Sequence, residues 1–280
     1  MGDYQWYIDK LCETSDGFLL HVVSLDIIID KKYGDLSDPQ MQAFWIDGIQ
    51  QGWVHGFLGG PPCATWSKAR AVQHSAERMD PHRRLPRPVR SAMHLWGLSA
   101  LAIRELEQVI DGNVLLGFCL EAILSLAAQG MTGIVEHPAE PEGADFPSIW
   151  KLPLVHLILT LPGAERIRLA QGLLGADSPK PTELLVVNLP SIKHDICSWR
   201  ITPDLPRNAN IGRNQDGAFK TTQLKEYPPA LCAALAQCTV KAMRSIDTAE
   251  QISVDTHFLQ QCHQMVSRDF GAYIGPDHVR

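Results

Sequence analysis

The chain has no apolar run long enough to cross a bilayer and no leader-like segment at Met1. Neither a membrane span nor a secretory signal is therefore expected. Its seven cysteines are odd in number and irregular in spacing, so they form neither a disulfide framework nor a zinc pattern. A reducing, intracellular setting fits that usage, and a nuclear one if the source is eukaryotic. Excess positive charge is missing too. The formal net charge is −6, which taken alone argues against a nucleic-acid partner. Internal repeats and low-complexity stretches are absent, which removes solenoids and biased tails from consideration. What remains is 280 residues, 45% of them hydrophobic. That suffices for one large α/β domain or two small ones.

The charge that is present is unevenly placed. From Lys68 to Arg90 run seven basic residues, Lys68, Arg70, Arg78, Arg83, Arg84, Arg87 and Arg90, against Glu77 and Asp80. The segment is +5, leaving −11 on the rest. A positive strip of this kind grips a polyanionic backbone, or is simply a solvated basic loop. Its position decides for the first, because it directly follows the most unusual stretch of the chain.

That stretch is Gly59-Gly60-Pro61-Pro62-Cys63-Ala64-Thr65-Trp66-Ser67. It comes after an apolar run, Val54 to Leu58, with the length and composition of a buried strand. Two glycines and two prolines then force a rigid turn and present one thiol at its tip. Holding a nucleophile in a sharp turn at a strand end is a device of α/β enzymes.

Patterning elsewhere predicts alternating strands and helices. Helices are expected over Tyr4 to Cys12, Pro39 to Gln51 with Asp38 as cap, Ile149 to Leu159 and Pro228 to Ser245. A long helical region from Val89 to Gln129 is expected to break near Asp111-Gly112-Asn113. Strands are expected at Leu19 to Ile29, Val54 to Leu58, Gly133 to Glu136, Arg166 to Leu173 and Leu184 to Asn188. The alternation implies a doubly wound, mostly parallel sheet with helices on both faces.

The Gly-Gly-Pro-Pro-Cys loop resembles the catalytic loop of the DNA cytosine-5 methyltransferases, with Ala64 and Trp66 where the family has Gln and Phe. Other weak matches follow in the family's order from about residue 17 to 243. The resemblance implies an S-adenosylmethionine-dependent methyltransferase fold over residues 1–245, with 246–280 a polar tail carrying one helix. It implies that Cys63 adds to C6 of a cytosine flipped out of double-stranded DNA, so that C5 takes the methyl group of S-adenosylmethionine. Val135-Glu136-His137-Pro138 resembles Glu-Asn-Val, making Glu136 the carboxyl group that contacts N3 of the base. Lys180 falls where the Gln-x-Arg-x-Arg motif keeps positive charge near the base, without the bidentate fork of arginine.

The same resemblance implies a cofactor site. Asp26 would hold the ribose hydroxyls, and Asp35 of Gly34-Asp35-Leu36 would accept from the adenine amino group. Pro61 would border the cofactor. Lys225, in Leu224-Lys225-Glu226-Tyr227-Pro228-Pro229, stands where the family has Asn. The nucleic-acid contacts would be Lys68, Arg70, Arg83, Arg84, Arg87 and Arg90. No metal is implied.

Two parts of the family pattern are missing. The glycine-rich turn Phe-x-Gly-x-Gly, with the central strand before it, has no counterpart ahead of Asp26. The recognition region between Leu189 and Tyr227 is too short for an independent domain. That abbreviation resembles the reduced methyltransferase relatives of mobile-element reading frames. A catalytically inactive relative that binds nucleic acid is the alternative. A cysteine hydrolase would need His55, His74 or His137 to activate Cys63, and none lies in a recognisable signature. The trio His257, Cys262 and His263 reads as one face of an amphipathic helix rather than a metal site.

Overall fold

The computed structural model describes residues 2–13, 20–68, 70, 87–143, 145–202, 204 and 226–246. Arg78, Arg83, Arg84, His74, Lys225 and the His257–Cys262–His263 trio lie outside them, as does the expected tail helix.

Four strands form one sheet: β1 (Gly56–Gly59), β2 (Thr132–Pro138), β3 (Ala164–Ala170) and β4 (Pro181–Val187), in the order β1-β2-β4-β3. β1 and β2 are parallel, joined through helix α3 (Ile103–Ala128). β2 pairs antiparallel with β4, and β4 antiparallel with β3. The fold is therefore mixed α/β, and among the described residues one of the three strand pairings is parallel. The expectation of a mostly parallel sheet is corrected by the link from β3 to β4. A 3-10 turn over Gln171–Leu174 and Gly175, with φ +98°, reverses the chain there. So short a link cannot make a parallel crossover, which needs about a dozen residues or more.

Side chains alternate across the sheet and build a core on each face. Val135, Leu185 and Val187 pack with Leu116, Leu120 and Ile123 of α3 and with the segment Ile149–Ile158. Ile134, Leu184 and Val186 pack against Leu231, Leu235 and Cys238 of the last helix, with Ile192 and Ile196 beside them. Those two faces explain why Ile134-Val135 and Leu184-Leu185-Val186-Val187 are apolar without interruption.

Further helices follow from local chemistry. In α1 (Gly2–Glu13), Tyr4, Ile8 and Cys12 recur every fourth residue and lie against Ala236 and Val240. α2 (Pro39–Gln50) starts as expected: the Asp38 carboxylate accepts from the Gln40 N–H at 2.8 Å, and Pro39 sits in the first turn. The region expected as one helix at 149–159 is a 3-10 turn, Ile149–Lys151, then α4 (Pro153–Ile158). Pro153 holds Leu152 extended and so separates them. α5 (Ile192–Ser198) falls in the short recognition region, where no helix is expected from the pattern. α6 (Pro229–Ile246) closes the described chain.

Two further expectations fail. Residues 20–26 join no strand, and 27–29 form a turn in which the Asp26 carbonyl accepts from the N–H groups of Ile29 and Asp30. Ile28 and Ile29 are 89% and 76% exposed. β-Branched residues favour a strand only where a neighbour completes the ladder, and among the described residues β1 has no strand on its outer edge.

The second failure is the break at Asp111-Gly112-Asn113. α3 runs through it, and residues 89–102 before it are not helical. Gly112 serves contact rather than termination: a Cβ there would lie 3.2 Å from Arg90 Nη2 and 3.3 Å from Thr65 Oγ1. Gly112→Ala is expected to lower the melting temperature, although alanine is the better helix former by roughly 1 kcal/mol. A rise in melting temperature would show that Arg90 can yield. The expectation that no apolar run is long enough to cross a bilayer is also corrected: the uninterrupted α3 is long and apolar enough by length and composition, and most of it is buried in the core.

Candidate active site

Register brings the loop after β1 beside the end of β2. Gly59 pairs with Val135, so Gly60 falls next to Glu136. A Cβ on Gly60 would stand 2.9 Å from the Tyr227 hydroxyl and 3.8 Å from Glu136 Oε2. Any side chain here would displace the Tyr227 hydroxyl, so the constraint on Gly60 is close approach and not backbone angle. Pro61 is buried, while Pro62, Cys63 and Ala64 are exposed. The chain then turns inward: the Trp66 N–H donates to the Cys63 carbonyl at 3.0 Å, and Thr65 and Trp66 are buried. The thiol thus stands at the tip of a turn anchored from behind.

Arg90 supplies the anchor. It is 2% exposed. Nε donates to Thr65 Oγ1 at 3.0 Å, Nη1 to the Asn113 Oδ1 and Leu95 carbonyl at 2.7 Å each, and Nη2 to the Val109 carbonyl at 3.2 Å. Its guanidinium also lies 4.1 Å from the centre of the Trp66 ring. The assignment of Arg90 to nucleic-acid binding is corrected: a guanidinium so enclosed cannot reach a phosphate.

Glu136 lies at the centre of a polar cluster. Gln171 Nε2 donates to Oε1 at 3.2 Å, and the Tyr227 hydroxyl donates to Oε2 at 3.3 Å. Burial raises the carboxyl pKa, opposed by the charge of Lys180 and by the bonds from Tyr227 and Thr182. Lys180 is itself held down by burial and pulled back up by Glu136 and Cys63. The charges of Glu136 and Cys63 are both felt at the Lys180 ammonium. The Lys180 backbone is left-handed, with φ 34°, and its ammonium stands 5.5 Å from the centre of the Tyr227 ring. A positive φ at a side-chain-bearing residue costs of the order of 1 kcal/mol or more and persists where packing holds it.

The remaining expected residues are dispersed. Asp26 is exposed and its Oδ1 accepts from the Ile28 N–H at 2.8 Å. Asp35 accepts from the Ser37 N–H and hydroxyl at 2.9 and 2.5 Å, which lowers its pKa. Arg87 is engaged by Glu105 at 2.6 Å and by the Ala100 carbonyl at 3.0 Å, at the start of α3. Arg70 is partly buried and donates to Gln108 at 2.8 Å. Lys68 is exposed, lies over the Phe146 ring at 4.8 Å, and borders a cleft of roughly 340 Å³ with His137, Glu140 and Arg168. Arg166, the other cation on β3, is held by Glu140 and Glu183 at 2.8 and 2.6 Å.

His137 points to the opposite face of β2 from Glu136. It is 2% exposed, and burial, reinforced by the charge of Arg90, pushes it down to about 3. It is not placed as a base for Cys63, and His55 is exposed on the segment before β1. Sequence reasoning gave no site role to Gln171 or to the Tyr227 hydroxyl, and gave Arg90 the wrong one. Tyr227 carries a signal, since it immediately precedes Pro228-Pro229, where the start of a helix fixes its direction. Among the described residues no group of three metal-ligating side chains occurs. Comparison with known protein families, characterised proteins and solved structures finds no match.

Proposed function

We propose that this chain is a DNA cytosine-5 methyltransferase-like protein whose described residues form the pyrimidine-engaging half of the site. The observation that carries the reading is the approach of the exposed Cys63 loop to Glu136 at Gly60, with Tyr227 bonded to Glu136 and lying under the Lys180 ammonium. A lysine ammonium near a cysteine favours its thiolate, and that is the role given to Lys180 in this reading. The sulfur bonds to C6 of a cytosine extruded from the duplex, and the C5=C6 electron pair shifts through the ring toward N3. Burial favours the neutral carboxyl form of Glu136, which gives its proton to N3 and becomes carboxylate. Reversal returns the proton and frees the thiolate. Extrusion is needed because C6 is shielded inside a stacked duplex.

S-adenosylmethionine would supply the methyl group in such a reaction. The described residues assigned to it do not fit. Asp26 sits in its own exposed turn rather than at a strand end, Asp35 is committed to Ser37, and β1 lacks an outer neighbour among the described residues. These positions favour a second reading, a relative that captures a nucleic-acid base without methylating it. Calorimetric titration with S-adenosylmethionine separates the two. Micromolar binding supports the transferase; absence of binding with intact base capture supports the second reading.

Covalent capture of DNA carrying 2-pyrimidinone in place of one cytosine tests the shared part, since C6 addition to that base needs no methyl donor. The rate should fall as pH rises through the Glu136 pKa, because the carboxyl form is consumed. Tyr227→Phe removes a bond that lowers that pKa. Its descending limb should therefore move to higher pH, because the bond that favours the carboxylate is lost. A limb that moves down or stays put contradicts the role given to Glu136.

A further inference from the structure

We infer that Arg90 is the positioning residue of the nucleophile, holding the Cys63 turn beside Lys180. The inference rests on reading Cys63 as the reactive thiol. Thr65 and Trp66 are the second and third residues after Cys63, and Arg90 engages both, one by a hydrogen bond at 3.0 Å and one by its ring at 4.1 Å. The other end of the guanidinium is fixed to α3, through Val109 and Asn113, and to the Leu95 carbonyl. Asn113 is held in turn, donating to the Trp96 carbonyl at 3.0 Å. Gly112 leaves the space this needs. An exposed turn is thereby tied to the long buried helix α3, which is how a loop residue gains the precision of a rigid element.

Position matters because the thiol is useful only within reach of the Lys180 charge and of a base held by Glu136. A displacement of about 1 Å at a reacting group can cost about 100-fold in rate. Lysine in place of Arg90 keeps the charge but cannot form the planar fork or stack on the indole. Thr65→Val removes only the hydroxyl that Arg90 grips, whereas Thr65→Ser keeps it.

The test needs no nucleic acid. The intact chain is alkylated with iodoacetamide and each cysteine followed by peptide mass spectrometry. Exposed Cys197 serves as internal reference and buried Cys119 as a monitor of folding. The ratio of Cys63 to Cys197 rates should fall about five- to tenfold in Arg90→Lys and Thr65→Val, and recover in Thr65→Ser. Cys119 should stay protected throughout. An unchanged ratio in Thr65→Val with Cys119 protected overturns the inference. So does a fall that appears only when Cys119 becomes reactive, which would make Arg90 a stability residue alone. Failure of base capture by the parent chain, with this ratio behaving as expected, would count against the pyrimidine reading and not against the clamp.

Discussion

Cys63→Ser is expected to abolish covalent capture of 2-pyrimidinone DNA altogether, and Glu136→Gln to slow it about 100- to 1,000-fold. A serine hydroxyl at the same turn is too weakly acidic to be present as its anion at neutral pH, and Lys180 alone does not change that. The glutamine amide would keep the shape of Glu136 and could still accept from Gln171 through its oxygen, while its NH2 would have to donate to the Tyr227 oxygen in place of accepting from that hydroxyl. It would not hold a carboxyl proton, and loss of a positioned general acid commonly costs about 100- to 10,000-fold. The captured species should run as a denaturation-resistant conjugate, with its mass assigned to the peptide containing Cys63. Capture in Cys63→Ser, or on a second cysteine, would remove Cys63 from its role. Retention of the parent rate in Glu136→Gln would remove the acid.

The two variants also differ in their expected effect on stability. Cys63 is exposed, so its replacement should leave the melting temperature unchanged. Glu136 is disfavoured as a buried anion, and the neutral amide should be tolerated or slightly stabilising at pH 8. Activity lost together with stability would point to a folding defect instead. A loss of capture with stability kept is the result that assigns chemistry.

The thiol loop is legible in sequence because its chemistry is local. Gly59 to Pro62 define a turn without help from distant residues, and the apolar run before them defines a strand. Glu136 is legible for the same reason, as the carboxylate closing an apolar run. Arg90 is not. Sequence places it in a basic strip, and only folding turns it toward Thr65 and Asn113. Charge patterning records which residues are basic and not which way they face, so it cannot tell Arg87 and Arg90 from solvated phosphate ligands. The segment Leu19 to Ile29 fails for a complementary reason. Its β-branched residues report strand propensity, but a strand exists only with a neighbour. Sheet direction fails because it depends on the short link between β3 and β4, where Gly175 and the left-handed Lys180 reverse the chain. That same reversal delivers Lys180 to Glu136, so the feature hardest to foresee also completes the site.

Acid should destabilise the fold early, and His137 should be a principal cause. The imidazole is buried on β2 facing Trp66, with ring centres 6.1 Å apart, and protonates in the folded state only near pH 3. In the unfolded chain it takes a proton near its ordinary value of about 6.5. Between those values the unfolded state binds a proton that the native state does not. Stability therefore rises with pH across that window and falls as pH drops below about 6.5, by about 1.4 kcal/mol per unit for this one group. His137→Leu removes the titration. The variant's own stability at pH 7 is not the readout, since leucine changes the packing against Trp66. The readout is slope: from about pH 6 to about pH 4 the parent should lose about 2–3 kcal/mol more than His137→Leu in urea unfolding. Carboxylates stabilised in the native state, such as Asp35 and Glu105, add acid sensitivity to both proteins and cancel in the comparison. Parallel curves over that range would mean that His137 is protonated in the folded chain. A buried imidazolium beside Arg90 would then require a counter-charge, and Glu140 or Glu142 across the adjoining cleft would have to move toward the ring to supply it.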